Sequence, residues 1–191
     1  MKTWSCDDAW RTGSNVGAWR TGSNVDADES IEKYKARFVA RGFTQKEGID
    51  YEETFAPVAR YTSIKMVLAL ATIKKWKLHQ MDVKTTFLNG VIEEVYLEQP
   101  LGYETHDRQT HVCRLKKSLY DLKQAPRTWY GRIDIFLTGL GFTKCKADSN
   151  LYYKVNDKGI VILLLYVDDL FLTGDEGVIS ESKRSSPQNS R

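Results

Sequence analysis

The chain is poor in several features that define whole protein classes. It has three cysteines in 191 residues. Cys6, Cys113 and Cys145 lie far apart, are odd in number and form no C-x-x-C pair, which excludes a disulfide scaffold. They read as reduced thiols and point to an intracellular protein. Long apolar runs are also missing. The most apolar stretch, residues 160–167, ends at Asp168-Asp169, far short of the roughly 20 residues that span a bilayer. Met1-Lys2 leads into polar sequence, so no secretory leader and no membrane partner are expected. Charge of one sign is scarce overall, with a net charge of +3. A composition of 41% hydrophobic and 28% charged residues excludes collagen, a coiled-coil rod and wholesale disorder, and leaves an ordinary globular balance.

The charge that is present is uneven. Residues 111–146 hold eight Lys or Arg (Arg114, Lys116, Lys117, Lys123, Arg127, Arg132, Lys144, Lys146) against Asp121 and Asp134. A local basic field suits a polyanionic partner; a solvated helix face is the alternative.

Residues 1–30 do not read as a domain. The octapeptide from Ala9 to Val16 recurs from Ala18 to Val25, a repeat too short and too few for a solenoid. The segment is polar and lacks apolar periodicity, so disorder is expected there. From Ile31 the texture changes. Residues 35–41 alternate basic with small or apolar residues, as a half-buried strand does. Ser63 is placed to cap a helix running to about Trp76, with Ile64, Val67, Leu68 and Ala71 on one face. Residues 78–83 read as a short strand ending at Asp82, and residues 95–98 as another. A second helix is expected from Pro126, with Trp129, Ile133, Phe136, Leu137 and Leu140 on its inner face and Gly141 as its stop. Residues 151–155 and 160–166 read as a hairpin turning at Asn156-Asp157-Lys158-Gly159. A third run, 170–173, follows a turn at Asp168-Asp169. The order of helices and hairpins predicts an α+β fold. Beyond Gly174 the Ser-rich, basic end reads as a disordered tail.

The sharpest local feature is Tyr166-Val167-Asp168-Asp169. Two adjacent carboxylates between apolar strands repel each other and are costly to desolvate. A divalent cation resolves that conflict, because magnesium takes hard oxygen ligands and shares them with substrate phosphates. Asp82, ending the earlier strand, is a candidate third carboxylate if that strand lies beside the hairpin. Three carboxylates can hold two ions about 3.5–4 Å apart, the geometry for in-line displacement at phosphorus. A solvated hairpin turn is the competing reading of the dipeptide. His106, His111 and Cys113 match no standard zinc spacing and read as loop residues.

Five blocks in order carry a resemblance. They are KARFVARG from Lys35, GIDYEETFAPV from Gly48, HQMDVKTTFLNG from His79, SLYDLKQAPR from Ser118 and YVDD from Tyr166. Together they resemble the reverse transcriptase of copia-type LTR retrotransposons over residues 31–174. The resemblance implies the fingers and part of the palm of a right-hand polymerase, built of mixed helices and antiparallel hairpins, which copies an RNA or DNA template from a primer using dNTPs. It implies Asp82 and Asp168 as the principal ligands of two Mg2+ ions (Mn2+ as a substitute), with Asp169 as the third catalytic carboxylate. Phe87 is implied under the incoming sugar, where a ring excludes a 2′-hydroxyl. Gln124 is implied at the nucleotide, and Lys35 and Arg37 near its triphosphate. A cytoplasmic retroelement particle is the implied setting.

Two positions depart from the family pattern. Asp121 stands where Gly is usual, a residue that would permit a positive φ or a close approach of backbone and substrate; Thr86 stands where Ala is usual. The resemblance stops soon after Gly174. The sequence therefore leads to the expectation that the remaining palm, thumb and RNase H segments are missing, and that this chain is a truncated remnant, inactive alone, retaining nucleic-acid binding. An unrelated divalent-metal enzyme, such as a glycosyltransferase using an acidic pair, is the third reading.

Overall fold

A computed structural model describes residues 4–7, 18–25, 31–100, 102–107 and 109–185; for residues 4–7, 18–25, 31–36 and 181–185 it describes the backbone only. The chain divides into two compact units, the first comprising Met1–Phe55 with Phe87–Trp129 and the second Ala56–Thr86 with Tyr130–Arg191. Every named strand pairing is antiparallel. Helices are interspersed with the strands, so the class is α+β, as the sequence order predicts.

In the first unit, β1 (Trp4–Asp7), β6 (Val112–Leu115) and β5 (Tyr96–Glu98) form a sheet in the order β1-β6-β5, and β2 (Ala18–Val25) pairs with β3 (Ile31–Val39). The second copy of the sequence repeat is thus a strand, in register with Ala18 opposite Val39. Disorder was the sequence expectation for this segment. Partnering explains the difference: eight residues without apolar periodicity still form a strand when a neighbour accepts their backbone hydrogen bonds. The first copy, residues 9–16, lies outside the described residues. Ala40, Ile92, Leu97, Leu115, Leu119, Leu122 and Ala125 form the core, with Phe38, Phe87, Leu88 and Val95 packed against it.

The second unit is built on a five-stranded sheet in the order β4-β10-β9-β8-β7. These are β4 (His79–Asp82), β10 (Asp169–Gly174), β9 (Gly159–Tyr166), β8 (Leu151–Asn156) and β7 (Thr143–Lys144). Residues 161–165 of β9 are all buried, the pattern of a strand covered on both faces. Ile162 and Leu164 pack with Leu151 and with Ile64, Val67 and Leu70 of α1 (Tyr61–Lys74). Side chains alternate along β8, so Tyr152 points the other way. Its hydroxyl donates to Asp134 at 2.7 Å, which places the 130–139 part of α2 (Ala125–Gly139) on the opposite face.

Helix boundaries follow a mechanism that local sequence does not contain. α1 begins at Tyr61 and no side chain of its own turn caps it. Instead Asp148, 88 residues on, accepts the Arg60 N–H at 2.9 Å and the Ser63 hydroxyl at 2.6 Å with one carboxylate oxygen. Ser63 therefore lies inside the helix and buried, and Leu68, expected on the inner face, is exposed while Leu70 packs inward. α2 agrees more closely. Trp129, Ile133 and Leu137 are buried, and Gly141 at φ 83° closes the end. Phe136, expected inside, is 42% exposed. The stretch read as a tail contains α3 (Glu176–Ser185), whose Val178 and Ile179 are fully buried.

Candidate functional site

β4 and β10 lie side by side, and the ladder sets Asp82 directly opposite Asp169. The Val83 N–H donates to the Asp168 carbonyl at 2.9 Å. That bond makes Val83 and Asp168 the hydrogen-bonded pair, so Asp82 and Asp169 form the adjacent non-bonded pair. Opposed side chains stand closest there, on one face, with Cβ atoms about 4.5–5.5 Å apart. Asp169 is thus the ladder partner of Asp82, where the sequence reading pairs Asp82 first with Asp168. Asp169 opens β10, and the turn comprises Val167 and Asp168, one residue earlier than expected.

That turn is strained. Val167 has φ 58°, a conformation rare for any β-branched residue, at the first central position where two-residue hairpins favour Gly. Two bonds hold it, one already named and one from the Val167 N–H to the Pro57 carbonyl at 2.8 Å. Backbone strain of this kind, about 1–3 kcal/mol, persists only where the surroundings over-determine it. It sets Asp168 at the outer tip, exposed.

The donor set suits a hard divalent cation. Asp82 and Asp168 are exposed and Asp169 half-buried. Asp169 accepts the Gln80 amide at 3.1 Å; neither Asp82 nor Asp168 has an ion-pair partner among the described residues. The three do not form a closed cage. No group of three His, Cys, Asp or Glu among the described residues is arranged to hold a metal ion.

The remaining sequence-selected residues lie in the first unit. Phe87, half-buried in the 3-10 turn Thr86–Asn89, meets Tyr120 edge to face, with ring centroids 5.4 Å apart. The exposed Arg37 sets its guanidinium 5.4 Å from the centre of the same Tyr120 ring. Sequence reasoning selected Phe87 and Arg37 separately and assigned nothing to Tyr120, which joins them. Lys35 lies on β3, and its side chain is outside the described residues. Gln124 accepts a hydrogen bond from Gln45 at 3.0 Å and reaches the Asp50 carbonyl at 3.5 Å. It borders a cavity of about 420 Å³ lined by residues 48–52 and 91–95 and by Thr128. Asp50, Glu52, Glu93 and Glu94 all line it, a setting that repels a polyphosphate. Gln45 is a second residue that sequence reasoning missed, since it sits in a polar stretch with no periodicity.

Asp121 has φ 70°, the left-handed conformation that the Gly usual at that position would permit. A Cβ on Gly42 would overlap the Asp121 carbonyl oxygen, so the two backbones meet closely. Thr86 is buried and its hydroxyl donates to the Val83 carbonyl at 2.5 Å. Cys113 is buried and Cys145 half-buried. His106 and His111 stack on each other, with centroids 4.8 Å apart. No helix among the described residues is long and apolar enough to cross a membrane.

Strand, strained acidic turn and opposed carboxylates define a class once set beside known proteins. Residues 3–187 match the family described as reverse transcriptase (RNA-dependent DNA polymerase). The chain belongs to that family, in the branch of copia-type retrotransposons. It is 46% identical over 161 residues to the retrovirus-related Pol polyprotein from transposon TNT 1-94 of Nicotiana tabacum, covering 83% of this chain and 12% of that protein. It is 43% identical over 155 residues to the corresponding polyprotein from transposon RE2 of Arabidopsis thaliana, covering 81% and 11%. The chain thus spans about a tenth of the length of these relatives. The family match also reaches beyond both limits of the 31–174 resemblance. No solved structure matches the chain.

Proposed function

We propose that this chain carries the nucleotidyl-transfer centre of an RNA-directed DNA polymerase. That centre adds deoxynucleotides to a primer 3′-hydroxyl on an RNA or DNA template. The observation that carries the reading is the direct opposition of Asp82 and Asp169 beside the exposed, strained turn at Asp168. Asp82 and Asp169, on one face of the ladder, and Asp168, in the adjoining turn, would hold the ions. Substrate phosphate oxygens complete the shell, as is usual for magnesium. When bound, two Mg2+ (or Mn2+) ions supply Lewis acidity to the attacking and leaving oxygens.

The strand–turn–strand unit corresponds to the palm in this reading, and β2 and β3 to the fingers. Phe87 packs under the sugar and excludes a 2′-hydroxyl. Gln124 contacts the neutral sugar, since the carboxylates beside it disfavour the phosphates. Arg37 and Lys35 serve the triphosphate, where cations stabilise charge in transit. A cytoplasmic particle is the proposed setting.

The test is primer extension by the purified chain on an RNA template. Magnesium-dependent synthesis that Asp82→Asn and Asp168→Asn abolish supports this reading and overturns the expectation that the chain is inactive alone. Undiminished synthesis in those variants rejects the assignment. A second reading, a remnant that only binds nucleic acid, draws on the basic segment of residues 111–146. It predicts salt-sensitive RNA binding that survives Asp168→Asn, with no extension.

A further inference from the structure

We infer that Gln45 is a positioning residue for Gln124, fixing which end of the Gln124 amide is free to meet a ligand. The inference rests on the nucleotide contact proposed for Gln124. Gln45 follows the 3-10 turn Gly42–Thr44 and is 7% exposed. One end of its amide takes the Lys123 backbone N–H at 2.8 Å. A backbone N–H can only donate, so that end is the oxygen, Oε1. The other end is therefore Nε2, which donates to Gln124 at 3.0 Å. Gln124 must answer with its own oxygen and present its NH2 away from Gln45. The orientation of both amides follows from one unambiguous main-chain donor.

The outward NH2 of Gln124 has a weak protein partner. Its bond to the Asp50 carbonyl is 3.5 Å long, at the limit of hydrogen-bonding range. A sugar oxygen displaces such a bond at little cost. Gln45 thus holds both the main chain of Lys123 and the side chain of Gln124, from 78 and 79 residues away in sequence. A purely structural role, satisfying a buried main-chain N–H, requires only an acceptor at position 45. Glutamate supplies that acceptor. As a carboxylate it cannot also donate to Gln124, whose amide must then turn over and carry its oxygen outward. Gln45→Glu therefore separates the two roles.

The experiment uses the full chain, its Gln side-chain amides observed by nitrogen-15 NMR, titrated with dTTP and MgCl2 at pH 8. In the unaltered chain the Gln124 NH2 signals should move on titration. In Gln45→Glu the same signals should start from a shifted position and dTTP affinity should fall about tenfold, the loss of one well-made hydrogen bond. Gln45→Met, which removes both bonds, should bind equally poorly. Unchanged Gln124 signals and unchanged affinity in Gln45→Glu, with Gln124 moving normally in the unaltered chain, overturn the positioning role alone. Gln124 signals that ignore dTTP in the unaltered chain overturn the nucleotide contact, and the positioning role with it.

Discussion

Asp82 and Asp169 face each other directly across the β4–β10 ladder, as a pair of like charges in the register position where side chains stand closest. Like charges so opposed cost about 0.2–1 kcal/mol. In metal-free buffer, Asp82→Asn should raise the stability of the chain by that amount. Millimolar Mg2+ or Mn2+ should stabilise the unaltered chain by mass action and leave Asp82→Asn nearly unmoved. Scanning calorimetry with and without the cation measures both. Equal stabilisation of both chains would show that Asp82 holds no ion.

Asp121 and Gly42 meet backbone to backbone, and substitution at the two acts in opposite directions. Asp121 sits at φ 70° and is exposed; an L-residue pays for that conformation, though Asp less than most. Asp121→Gly should raise stability by up to about 1 kcal/mol, the low end of the left-handed penalty. Gly42→Ala should lower it by about 1–3 kcal/mol or more, because its Cβ has no room beside the Asp121 carbonyl. Urea midpoints of the two variants decide; a stabilised Gly42→Ala would contradict the packing described.

Periodicity and turn chemistry in the sequence located α2, the hairpin of β8 and β9, and β4 ending at Asp82. These are local signals, and local forces dominate there. Burial of α1 was legible only in part, because its cap is Asp148 from a distant segment, and this shifts the start and the inner face. α3 carries two buried apolar residues among polar ones, too few to register as a period. At the site, the acids were legible but their register was not. A one-residue difference in where β10 begins decides whether Asp168 or Asp169 faces Asp82.

Asp148 gives α1 an acid-sensitive anchor. Burial pushes its carboxyl up, but hydrogen bonds from the Ser63 hydroxyl and the Asn150 and Arg60 N–H groups outweigh this and hold it below its ordinary value of 3.8. A lowered folded pKa means the unfolded chain binds the proton more tightly. The contribution is therefore fully present above about pH 4 and drains away as pH falls through the lower, folded value. Asp148→Ala should cost about 1–3 kcal/mol at pH 7 by orphaning those donors. The difference between variant and unaltered chain should narrow at acid pH. A gap that stays constant from pH 7 to pH 2 in chemical denaturation would rule out this anchor.

Ile179 tests whether the end of the chain is tail or core. It is 1% exposed and follows Val178, which is wholly buried. Asp175, just before α3, accepts the Trp76 indole N–H at 3.1 Å and the Ile160 N–H at 2.8 Å, so the helix start is tied to the end of α1 and to β9. A buried isoleucine cut to alanine loses its transfer free energy and leaves a cavity, together about 2–5 kcal/mol. Val155, 63% exposed on β8, supplies the control, since Val155→Ala should stay within about 0.5 kcal/mol of the unaltered chain. If α3 packs as described, Ile179→Ala lowers the urea midpoint sharply and Val155→Ala does not. Equal, small effects of the two substitutions would return residues 176–185 to the status of a tail.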